Sequence, residues 1–142
     1  MTINLKQVID TVESANEVYT ALYDTQTGKT VYLPDEIIAD KRDEDLEVLI
    51  EDSPAGRFLH FPTKYEIHEY SIMESFIESL PPGAARQELA RAIRGKGAFR
   101  RFKNGIYYHR LDQQWYAYQA LAYSEIASRW CTDQGLEYLD EN

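Results

Sequence analysis

Cysteine, positive charge and long apolar runs are scarce in this chain, and each shortage excludes something. Cys131 stands alone, so no intrachain disulfide can form, which points to a reducing compartment. No stretch is apolar over the length a bilayer requires, so no membrane span and no membrane partner are expected. The opening Met1-Thr2-Ile3-Asn4-Leu5-Lys6 lacks the basic start and continuous apolar core of a signal peptide, and reads as the approach to an amphipathic helix. A cytoplasmic location is the expectation. With 15 Lys and Arg against 24 Asp and Glu, the net charge of −9 argues against wholesale coating of nucleic acid or anionic membrane.

Chemical signatures are missing as well. His60, His68 and His109 show no ligand spacing with one another or with Cys131, so neither a metal nor a cofactor is expected. Gly95-Lys96-Gly97 has the look of a phosphate loop, but Ala98 stands where Mg²⁺ would need a hydroxyl, and Arg100 interrupts any dinucleotide-binding glycine pattern. His68-Glu69 does not extend to a zinc-protease motif, because position 72 is Ile72. Cys131 lies near the C-terminal end of a helix, without the field that lowers a thiol pKa, and is expected to be inert. No catalytic residue is assigned.

What is present is the composition of a globular protein: 44% hydrophobic residues and eleven tyrosines in 142 residues, the size of one domain. Leu5, Val8, Ile9 and Val12 predict a helix to about Ala15. Two β-branched and aromatic runs around Thr25-Gln26-Thr27-Gly28 predict a hairpin over 18–33, and 57–61 predicts a third strand. Leu46, Leu49 and Ile50 predict a helix from about Asp43 to Glu51 in the acidic block Asp35 to Asp52, where the acids are offset only by Lys41 and Arg42. A capping box at Thr63 and Glu66 starts a long helix to Leu80. Further helices are expected over 84–94, from Gly97 to about Asn104-Gly105, and from Asp112 to Gln134. The fold class is therefore α+β: a small antiparallel sheet of about three strands packed with five to six helices, in one domain over 1–142. Phe99, Phe102 and Trp115 are expected in its core.

The distribution of charge is unusual. From Arg86 to Arg110, eight Lys and Arg face one acid, Glu88, a local balance of +7 that leaves −16 to the rest. The helix start at Gly97 offers unpaired N–H groups at the positive end of a macrodipole. Arg94, Lys96, Gly97, Arg100, Arg101 and Lys103 are thus the candidate anion-binding residues. The competing expectation is internal: Glu69, Glu74 or Glu78 fills the site and makes the segment an ion-pair hub.

The run Ala92-Ile93-Arg94-Gly95-Lys96-Gly97-Ala98-Phe99-Arg100-Arg101-Phe102-Lys103, with Trp115-Tyr116-Ala117-Tyr118 and Arg129-Trp130, resembles a family of small bacterial proteins classified only as uncharacterised. The resemblance extends over Phe61-Pro62-Thr63-Lys64-Tyr65-Glu66-Ile67 and Met73-Glu74-Ser75-Phe76-Ile77. This chain differs where Asn104-Gly105 interrupts what tends to be a longer helix. The resemblance implies an α+β bacterial cytoplasmic domain and transfers no activity. The functional expectation is a non-catalytic protein-interaction or regulatory module whose partner is another protein. The alternatives are nucleic-acid or phosphorylated-ligand binding through 91–103, and an enzyme of unknown class.

Overall fold

The computed structural model describes residues 2–140. In chain order its elements are β1 (Thr2–Asn4), α1 (Leu5–Glu13), β2 (Tyr19–Asp24), β3 (Lys29–Pro34), α2 (Glu44–Asp52), β4 (Phe58–His60), α3 (Lys64–Ile67), α4 (Glu69–Ser79), α5 (Ala84–Ala92), α6 (Ala98–Tyr108), α7 (Asp112–Asp133) and β5 (Glu137–Leu139). They gather into two compact units, one drawn from Met1–Ile67 with Tyr123–Asn142 and the other His68–Ala122. No helix among the described residues is long and apolar enough to cross a membrane.

The α+β class is as expected, with an antiparallel sheet ordered β3-β2-β4 in the first unit. Leu22 faces Val31 across the hairpin, and Tyr23 faces Leu59 on the other side. Arg57, at the foot of β4, reaches across to β2. Its Nε donates to Asp24 Oδ1 at 3.0 Å and its Nη2 to Asp24 Oδ2 at 3.1 Å. Asp24 is only 3% exposed, so the bidentate contact replaces the water its carboxylate has lost. The Arg57 guanidinium holds that carboxyl at about 2, below its usual 3.8. The later part of α7 closes the same unit: Trp130 stacks on Phe61 with ring centroids 4.6 Å apart, and its Nε1 donates to the His60 carbonyl at 2.8 Å. Cys131 is fully buried nearby, and burial pushes its thiol pKa up.

A second, parallel sheet was not expected. Thr2–Asn4, read from sequence as the approach to a helix, forms β1 and pairs with β5, Ile3 opposite Tyr138. Asn4 nonetheless caps α1, its Oδ1 accepting from the Lys6 N–H at 2.8 Å. Pairing between residues so distant in sequence leaves no local periodicity to read.

The long helix expected over 63–80 is broken. The capping box forms, with the Glu66 N–H donating to Thr63 Oγ1 at 3.1 Å and the Thr63 N–H donating to Glu66 Oε1 at 3.0 Å. After one turn His68 takes a left-handed conformation, φ +53°, and α4 starts afresh. The N-terminal segment of the first unit ends at the preceding residue, Ile67. Histidine is not a punctuating residue, so the apolar pattern ran through the break unmarked.

The second unit is helical around Met73, Phe76, Ile77, Leu89, Ile93, Ala98, Phe102 and Ile106. Trp115, from the start of α7, packs edge-on against Phe76 and Phe102 at centroid distances of 5.3 and 4.8 Å. The Tyr70 hydroxyl donates to the Ile93 carbonyl at 2.8 Å, tying α4 to the end of α5.

Candidate functional site: the joint between α5 and α6 and the outward face of α6

Gly95 and Gly97 both adopt left-handed backbone, φ +75° and +77°, ending α5 and starting α6. This is the Gly-Lys-Gly joint read from sequence. One of the six candidate anion ligands turns out to have an internal task. The Arg101 guanidinium folds back over the joint: Nε donates to the Ala92 carbonyl at 2.9 Å, Nη2 to the Arg94 carbonyl at 2.5 Å, and Nη1 to the Lys96 carbonyl. The last carbonyls of a helix lack intrahelical partners and form the negative end of its dipole, so a planar cation with a fixed fork of donors suits them. Gly97 makes room for it, because a β-carbon there would stand 2.9 Å from Arg101 Nη1. Arg101 thus serves α5, and the donors expected to point at an external anion face backbone.

The other four side chains, Arg94, Lys96, Arg100 and Lys103, are exposed. Among the described residues none of them is in an ion pair, and neither Glu74 nor Glu78 pairs with the segment. The one acid of the stretch, Glu88, is engaged instead by His109, Nε2 to Oε2 at 2.6 Å, a link between α5 and the end of α6. That pair lies beside a cleft of about 330 Å³ with Leu89, Asn104, Gly105 and Tyr108. No group of three or more His, Cys, Asp or Glu among the described residues could hold a metal ion.

Two expectations about α6 are corrected. Phe99 is not a core anchor: it is 54% exposed, and the buried row is Ala98, Phe102 and Ile106. That row has i, i+4, i+8 spacing, and the small Ala98 gave less signal than the large neighbour beside it. Nor does Asn104-Gly105 end or interrupt the helix, which continues to Tyr108. A β-carbon on Gly105 would lie 2.7 Å from Leu89 Cδ2, so this glycine permits the close approach of α5 and α6.

The correction to Phe99 defines a surface. At 100° per residue, Phe99, Lys103, Tyr107 and Arg100 fall within an arc of about 100° that starts beside Ile106 and flanks the buried row of Ala98, Phe102 and Ile106. All four are exposed. The Tyr107 hydroxyl shares a hydrogen bond of 2.5 Å with that of Tyr116 on α7, whose exposed ring extends the patch. Sequence reading located the cations but placed the aromatic ring inside. The surface it missed is the combination of the two.

The model of one protein family, described as Uncharacterised protein family (UPF0158), matches residues 1–142. No curated protein and no solved structure matches the chain.

Proposed function

We propose that this chain, which belongs to the Uncharacterised protein family UPF0158, acts as a non-catalytic module that recognises another protein through the outward face of α6. The observation that carries this reading is the exposure of Phe99, 54%, beside Arg100, Lys103 and Tyr107. Aromatic and arginine side chains dominate the binding energy of protein interfaces, because a large ring supplies contact area at small entropy cost and a guanidinium supplies directed donors. Helix α6 carries Arg100, Arg101 and Lys103 and no acid of its own, so the partner would present carboxylates. Arg94 and Lys96 at the joint extend the positive field beyond the helix. The short range of unscreened electrostatics, about 8 Å at physiological salt, lets such a patch act locally on an acidic molecule.

Interleaved rings and cations also suit single-stranded nucleic acid, whose bases stack on aromatics while its phosphates meet Lys and Arg. The net charge of −9 weighs against it. Fluorescence anisotropy with a labelled oligouridine separates the two. Binding through about three phosphates would give log K against log salt a slope near −2. The protein reading expects no such binding, and expects a lysate protein of the native host to be retained on the immobilised wild-type chain and lost from the Phe99→Ala and Arg100→Glu chains. Salt-sensitive oligouridine binding, or retention indifferent to both substitutions, would overturn it.

A further inference from the structure

Helix α2 buries none of its side chains. It is a well-formed helix all the same: Asp43 Oδ1 accepts from the Leu46 N–H at 3.0 Å, and Glu44, Asp45 and Glu47 favour its positive end. Arg42 holds Glu47 through both carboxylate oxygens, at 3.2 and 3.0 Å. Its exposed residues are Glu44, Asp45, Val48, Leu49, Glu51 and Asp52, and within them Val48, Asp52, Asp45 and Leu49 form an arc of about 100°. Val48 is 54% and Leu49 42% exposed, and Ile37, 90% exposed, stands shortly ahead of the helix. An acidic helix with two exposed aliphatic side chains, Val48 and Leu49, is the counterpart of what the α6 face requires.

We infer that the partner of the α6 face is a second copy of this chain, which docks the Asp45, Val48, Leu49, Asp52 arc of its α2 against Phe99, Arg100, Lys103 and Tyr107. The inference rests on the reading that the α6 face binds protein and names the occupant. Three things argue for it. The charges are opposite, two carboxylates meeting two cations, whereas α2 on α2 or α6 on α6 would set like charges together. Each arc carries two apolar side chains to cover those of the other. Their lengths also agree: seven residues separate Asp45 from Asp52 and eight separate Phe99 from Tyr107, about 10 and 12 Å of helix. Each copy carries both arcs, so it can give its α2 to one copy and receive an α2 on its α6.

The test is sedimentation velocity of the full chain from about 10 µM to about 1 mM, at low salt and at about 0.5 M salt. Self-association is expected, weakened at least tenfold by the salt. Arg100→Glu with Lys103→Glu should leave a monomer, as should Asp45→Lys with Asp52→Lys. An equimolar mixture of these two double variants should associate again, since every α2 then meets an α6 of opposite charge. Circular dichroism checks that each variant is folded. Val48→Ser with Leu49→Ser, which leaves all charges in place, should also be monomeric should a charge reversal fail to fold. A wild-type chain that stays monomeric throughout, or a mixture that does not associate, overturns the inference. If the wild type is monomeric yet retains a lysate protein that Phe99→Ala releases, this inference falls and the function proposed above stands.

Discussion

Gly105 and Leu89 meet so closely that a β-carbon on the glycine would lie 2.7 Å from Leu89 Cδ2. Leu89 is fully buried between helices, so it has little freedom to yield. Gly105→Ala would gain about 1 kcal/mol from helix propensity and lose about 2 to 3 kcal/mol to overpacking. A net loss of about 1 to 2 kcal/mol is expected in urea melts. A more stable variant would mean that Leu89 has room to turn aside.

Arg101 and Gly97 form a second interdependent pair. Arg101→Ala removes donors from three carbonyls of the joint, and a loss of about 1 kcal/mol is expected, modest because the site is exposed. Arg101→Lys should fare little better, since an ammonium has no planar fork to span the three. Full thermal stability in the lysine variant would show that charge alone suffices.

Two aromatic truncations separate surface from core. Phe99→Ala should change stability by less than about 0.5 kcal/mol, as exposed positions do, while costing partner binding. Phe102→Ala should cost about 3 to 5 kcal/mol, because its ring is buried against Phe76 and Trp115. Equal losses in parallel urea melts would refute the assignment of the two faces of α6.

Asp24 makes the first unit sensitive to acid. Its folded-state pKa of about 2 lies below the ordinary 3.8, so its pairing with Arg57 stabilises the fold fully above about pH 5. That contribution is lost as pH falls through about 4 toward 2, and amounts to about 2 kcal/mol. Asp24→Asn should flatten this part of a stability-against-pH curve, measured by urea denaturation at pH 6, 4 and 3. A variant curve parallel to that of wild type would assign acid sensitivity to other carboxylates.

Residues close in sequence determined most of the elements. β-Branched and aromatic runs around the Thr25–Gly28 turn marked the hairpin, the Thr63–Glu66 box marked a helix start, and Gly95 and Gly97 marked a stop and a start, because turn and cap chemistry is local. The cluster of cations was equally plain. Tertiary structure decided what periodicity leaves open. It chose Ala98 over Phe99 for the buried row of α6, turned Arg101 onto the carbonyls of α5, and made Gly105 a point of close packing where composition suggested an end. It also paired Thr2–Asn4 with Glu137–Leu139 and left α2 with no buried side chain. The physical reason is common to all of these: a helix or strand pattern says which faces are apolar, but only packing against a particular neighbour says which apolar side chain is covered and which is left for a partner.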